Sequence, residues 1–105
     1  MHSIVYFTFY LTWDNLYISN EAMKDNKNDE NYIYYVIGQN LKKIRKDKGF
    51  TQERLAEASN YALSFIGNLE SDKVFQTISI GSLYHLAKIL GIDIRELFAP
   101  IDENM

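Results

Sequence analysis

Between Phe50 and Lys73 the chain reads FTQERLAEASNYALSFIGNLESDK, and no other stretch constrains its fold as tightly. Thr51 is a good N-cap, with Gln52 and Glu53 in the first helical turn, where the helix's partial positive charge collects. Leu55, Ala56 and Ala58 give that helix a small apolar face. Ser59-Asn60 interrupts it, and asparagine is one of the few non-glycine residues that enters the left-handed conformation cheaply. A second short helix follows, with Phe65, Ile66 and Leu69 at core spacing and Ser64, Gly67 and Asn68 elsewhere on its circumference. The stretch therefore predicts two short helices joined by a tight turn.

Residue by residue, this pattern resembles the helix-turn-helix DNA-binding domain of the phage-repressor, Cro and XRE-type regulators. T-Q-E-x-L-A opens the first helix (Thr51, Gln52, Glu53, Leu55, Ala56), and S-x-I-x-x-L-E forms the second (Ser64, Ile66, Leu69, Glu70). The likeness runs from about Val36 to Phe98, and LAKILGIDIRELF again resembles the family's C-terminal half. It implies an all-α, five-helix, lambda repressor-like domain over 32–98, between an N-terminal extension and linker (1–31) and a tail (99–105). It also implies roles for residues. Leu63, Ser64 and Asn68 would face bases, and Gln52 would bind a phosphate. Arg45 would pair with Glu70 and turn its guanidinium toward the DNA backbone. Lys43, Lys73 and Thr77 would meet further phosphates, the last two in or beside the VFQTIS loop.

The side chains suit those roles. A helix fits the major groove, where each base pair shows a distinct set of donors, acceptors and methyls. Asn68 can pair with adenine through its amide, Ser64 can donate or accept, and Leu63 offers only apolar contact, most usefully to a thymine methyl. A glutamine at a helix start can donate to an anionic oxygen, fixing register without reading sequence. Gly67 costs about 1 kcal/mol of helix stability relative to alanine. Close approach to DNA accounts for it, and so does internal packing.

The chain departs from the family's pattern in places. Asn60 stands where glycine is usual, Tyr61 replaces a smaller aliphatic, and Ala62 stands where a serine or threonine would cap the second helix. The expectation is that Asn60 caps it instead. The groove-facing set carries no arginine, lysine or glutamine, so shape readout or a second subunit must add specificity.

Charge is unevenly placed. The formal net charge is −3 over 105 residues. Residues 1–35 hold two basic and five acidic side chains, whereas residues 36–74 hold seven basic and five acidic. From residue 75 onward two basic side chains stand against four acidic. The positive excess thus sits on the segment expected to meet DNA and predicts salt-sensitive binding.

Outside that segment the signals are weaker. In MHSIVYFTFYLTWDNLYISNEA, Val5, Phe7, Phe9, Leu11 and Trp13 alternate with Tyr6, Thr8, Tyr10 and Thr12, a strand period in strand-favouring residues. Three readings stay open: a strand added to a partner, an element packed on the domain's own surface, or translated leader before a natural start at Met23. The run is too short to span a bilayer as a helix. MKDNKNDEN reads as a flexible linker. YIYYVIGQNLKKIRKDK reads as helix 1, with Ile33, Ile37, Leu41 and Ile44 in the core and Gly49 as its stop. Ser79 caps a helix over Ile80 to Leu90, and Asp93 to Glu96 has capping-box spacing for a last short helix closed by Pro100.

With no cysteine, disulfides and thiolate metal sites are excluded, and a cytoplasmic setting fits. His2 and His85 have no ligand partners at helical spacing and read as surface histidines, so neither metal nor cofactor is expected. No nucleophile–base set or phosphate loop points to an enzyme. The expected function is a transcriptional regulator that binds double-stranded DNA, as a homodimer on a palindromic operator. Its dimer contact would lie around Ile92–Phe98 or on the aromatic arm. The alternative is an interaction module or antitoxin-like protein with the same fold and a weak DNA face, whose partner is another protein.

Overall fold

The computed structural model describes residues 26–101. The alternating segment over 1–22 and the question of Met23 lie outside the described residues. Among the described residues four α-helices follow one another: α1 (Tyr32–Asp47), α2 (Gln52–Ser59), α3 (Leu63–Glu70) and α4 (Ile80–Leu90), and a 3-10 helix (Ile94–Phe98) ends the series. No strand occurs among the described residues.

The described part of the linker is more ordered than its composition suggests. The Asp29 N–H donates to the Asn26 carbonyl at 3.1 Å, and the Asn31 N–H donates to the Asp29 carboxylate at 2.8 Å. These turns lead directly into α1.

Helix ends follow local chemistry. Thr51 accepts from the Arg54 N–H at 3.0 Å and Ser79 from the Ser82 N–H at 3.1 Å, each satisfying a first-turn donor. Three helices close through a left-handed residue: Gly49 (φ 78°), Asn60 (φ 61°) and Gly91 (φ 70°). After each, the next N–H reaches back five residues: Phe50 to Arg45, Tyr61 to Ala56, Ile92 to Ala87. Asn60 is thus committed to ending α2 and does not cap α3. The N-cap of α3 is Ala62, with no side-chain hydrogen bond.

The last expected helix takes a tighter form. Asp93 accepts from the Arg95 N–H at 2.8 Å while its own N–H donates to Glu96 at 3.1 Å, completing a capping box. The Arg95 side chain and N–H, bonded to Asp93, hold that carboxyl below the usual carboxylate range. Only five residues then remain before Ala99, which is extended (ψ 141°) as a residue ahead of Pro100 must be. Such short pieces are where 3-10 geometry is used.

The core joins all five elements. Leu41, Leu55, Ile66, Leu69, Leu83, Leu86 and Leu97 are each buried to within 2%. Full burial of one such side chain contributes about 1.5–3 kcal/mol. Ala58 is exposed, and Ser59 takes the inward place at the end of α2. Ile33, expected inside, is 39% exposed, because α1 turns Tyr35, Val36, Gly38 and Asn40 inward as well.

Two polar details fix α1. A Cβ added to Gly38 would collide with the Leu69 carbonyl oxygen, so only glycine lets α1 and α3 cross so closely. Buried Asn40 donates to the carbonyls of Leu97 (3.0 Å) and Ala99 (2.8 Å), tying the C-terminal segment to α1.

Candidate nucleic-acid interface

α3 divides lengthwise into two faces. Ile66, Leu69 and Glu70 point inward and are at most 2% exposed. Leu63, Ser64, Gly67 and Asn68, at i, i+1, i+4 and i+5, lie on the other side, with Leu63 48% exposed and Ser64 open to solvent. No side-chain hydrogen bond ties Ser64 or Asn68 to another described residue. A Cβ on Gly67 would meet only Gln52 Oε1, at 3.8 Å, an ordinary contact. Internal packing therefore does not require glycine at 67, as it does at 38.

The inward end of α3 is held by a buried ion pair. Arg45 Nε donates to Glu70 Oε2 at 2.7 Å and Arg45 Nη2 to Glu70 Oε1 at 2.8 Å, a bidentate arrangement. Arg45 Nη1 donates to the Phe50 carbonyl at 2.6 Å, just before α2. The two charged side chains are 7% and 1% exposed. One guanidinium thus joins α1, the α1–α2 turn and α3. Three of its five N–H groups are used in this way inside the fold.

Gln52 belongs to the same cluster. Its Nε2 donates to Glu70 Oε1 at 3.0 Å, and the side chain is half-buried between the start of α2 and the middle of α3. Neither this contact nor the roles of Gly38 and Asn40 is legible as a motif. Gln52 and Glu70 are far apart in sequence, and Asn40 looks like one more polar residue on a basic helix. The available signal for Gly38 was a glycine inside a strongly periodic helix, which raises the question of a close approach.

Exposed cations lie on α1, on α2 and on the loop after α3. Lys43 and Lys46 are exposed on the second half of α1 and Lys48 just after it, and Arg54 lies over the Phe50 ring at 5.0 Å. Lys73 and Thr77 are exposed on the loop between α3 and α4. That loop is held at its start and middle: the N–H groups of Lys73 and Val74 donate to Ser71 Oγ at 2.8 and 3.1 Å, and Phe75 packs edge-on against Tyr34 at 5.9 Å. Gln39 on α1 reaches Asp72 at 3.1 Å.

The turn between α2 and α3 is braced from α4. The His85 ring sits 2.9 Å from the Ser59 carbonyl and packs edge-on against Tyr61 at 5.2 Å. Tyr61 in turn meets Phe65 at 5.5 Å. His85 is a surface residue with this structural task. Among the described residues no cluster of His, Cys, Asp and Glu could hold a metal, and no helix is long and apolar enough to cross a membrane.

Two short helices around a left-handed turn, the second buried along one side and open along the other, define the helix-turn-helix class, here in its XRE/Cro form. A family model described as a helix-turn-helix domain matches residues 38–103, and the chain belongs to that family. It is 34% identical over 69 residues to an uncharacterised HTH-type transcriptional regulator of Sinorhizobium fredii, covering 66% of this chain and 87% of that one. Among solved structures it resembles the restriction-modification controller protein C.AhdI of Aeromonas hydrophila. That match has 35% identity and a TM-score of 0.57, covering 62% of this chain and 96% of that one. It also resembles SinR, a master regulator for biofilm formation solved in complex with DNA. There the identity is 30% and the TM-score 0.55, covering 60% of this chain and 98% of that one.

Proposed function

We propose that this protein regulates transcription by inserting α3 into the major groove of a specific DNA site, as a homodimer on a palindromic sequence. The observation that carries the reading is the outer face of α3: Leu63 and Ser64 are exposed, Gly67 and Asn68 are half-buried, and no side chain of the four is hydrogen-bonded within the fold, on a helix whose other face is buried. Residues 32–98 form the binding unit. Leu63, Ser64 and Asn68 meet base edges, and Gln52, Lys43, Lys73 and Thr77 meet phosphates. That the related SinR was solved with DNA supports the choice of ligand. A single eight-residue helix offers few base contacts, so two copies related by a two-fold axis supply the rest.

The test is a fluorescence-anisotropy titration of the whole chain against DNA from upstream of its own gene, with scrambled DNA alongside, at two salt concentrations. The expected result is preferential binding to the upstream DNA that weakens steeply with salt, with a stoichiometry of two chains per site. Failure of the folded protein to bind either duplex sinks the reading and favours a protein partner. Within a binding protein, Gln52→Ala should weaken all duplexes alike, and a loss confined to one sequence would argue against a phosphate role.

A further inference from the structure

Resting on that reading, we infer that the buried Arg45–Glu70 ion pair acts on DNA binding through Gln52. It forms a charge-neutral clamp that holds the Gln52 amide in its phosphate-binding orientation before DNA arrives. The amide lies between two parts of α3. Its nitrogen faces Glu70 Oε1 at 3.0 Å, and its oxygen lies over Gly67, 3.8 Å from where a Cβ would stand. A carboxylate paired with arginine can only accept hydrogen bonds, so the nitrogen, not the oxygen, must face it. One of the two Nε2 hydrogens is thereby used. The second is then fixed in direction by the planarity of the amide, and no other described residue accepts from it. It remains for an external acceptor, the role a phosphate oxygen fills.

Charge completes the argument. A lone carboxylate one hydrogen bond from a phosphate site would repel the phosphate. Here both carboxylate oxygens receive guanidinium N–H groups, at 2.7 and 2.8 Å, and the pair is removed from solvent, so its net charge is zero where it matters. Gly67 adds the space: a bulky side chain there would occupy the place of the amide oxygen. Arg45 and Glu70 are accordingly positioning residues. They act through the clamp, which lowers the ordering cost of the Gln52 side chain.

The test is a double-mutant cycle on DNA affinity, with each variant's fold checked by circular dichroism at the binding temperature. Gln52→Ala and Glu70→Ala should each lose roughly 3- to 10-fold in affinity, on upstream and scrambled DNA alike. The double variant should lose no more than Gln52→Ala alone, because Glu70 acts only through that amide. Glu70→Gln, which keeps an oxygen acceptor, should recover part of the loss. Additive losses, or wild-type affinity in folded Glu70→Ala, would overturn the inference. A second measurement serves if Glu70→Ala does not fold. NMR relaxation on the Gln52 side-chain amide of the unaltered, DNA-free protein should report a rigid group, and a freely rotating one refutes the clamp. That readout needs no DNA, so it separates failure of the clamp from failure of the DNA reading.

Discussion

The inner and outer faces of α3 are made from the same eight residues, and they obey opposite rules. Inward, every position is over-determined: Ile66 and Leu69 fill the core, Glu70 is bonded by Arg45 and Gln52, and the Leu69 carbonyl sets how near α1 may come. Outward, Leu63 and Ser64 are exposed, Gly67 and Asn68 are half-buried, and no side chain of the four is hydrogen-bonded within the fold. Stability and recognition are therefore separated along one helix, so a substitution on either face should change one property and spare the other. A face that costs the fold nothing to alter is free to be specified by a ligand.

The sharpest way to break this comparison is at Arg45. Arg45→Ala leaves the Glu70 carboxylate buried without its counter-charge and strips three hydrogen bonds from the hub. A loss of about 3–5 kcal/mol in unfolding free energy is expected. Urea denaturation followed by circular dichroism would show it, and a loss below about 1 kcal/mol, the range of an exposed pair, would place the pair in effect at the surface. Next in size is Gly38→Ala. The new methyl collides with main chain rather than with a movable side-chain tip, so α1 and α3 must separate. About 1–3 kcal/mol of destabilisation is expected, with the higher end favoured by the rigidity of the obstacle. A crystal structure of the variant with unshifted helices would show that the crossing was not at its limit.

On the outer face the sign of the comparison reverses. Asn68→Ala should leave the unfolding free energy within about 0.5 kcal/mol of the parent, since its side chain bonds nothing in the fold. In a binding-site selection it should relax preference at one base pair, by about 1–3 kcal/mol if the amide contact is bidentate. An unchanged selected sequence would falsify the assignment of Asn68 as a base reader.

How much of this was legible in the sequence follows the same division. The helices, their caps at Thr51, Ser79 and Asp93, and the left-handed turn at Asn60 depend on residues within five positions of one another. Local chemistry is written locally, so those features can be read from a string. The crossing at Gly38, the Asn40 bonds to Leu97 and Ala99, and the Gln52–Glu70 contact depend on residues brought together by packing. Nothing in the local pattern distinguishes Asn40 from its polar neighbours. Ile33 shows why: a simple helical period follows residue type and puts it inside, whereas burial followed which turn of α1 met α3 and the C-terminal segment. The 3-10 form of the last helix was hidden for a different reason. Its capping box is the same for either helix type, and the distance to Pro100 decides between them.

Gly67 offers the smallest effect and the cleanest separation of the two faces. Glycine in the interior of α3 costs about 1 kcal/mol relative to alanine, and the structure offers no internal compensation: the added methyl would meet only the Gln52 amide oxygen, at 3.8 Å. Gly67→Ala should therefore stabilise the protein by about 1 kcal/mol, which for a domain of this size raises Tm by about 4–8 °C. The contrast with Gly38→Ala is the informative part, because the same chemical change on two glycines in neighbouring helices is expected to carry opposite signs. A calorimetric scan of both variants against the parent decides it. If Gly67→Ala also lowers Tm, the outer face is coupled to the core through the Gln52 amide, and the separation along α3 is incomplete at that point. If Tm rises as expected, the fold gains no stability from glycine at 67, and the reason for it lies in the room it leaves for the Gln52 amide and for what docks against that face.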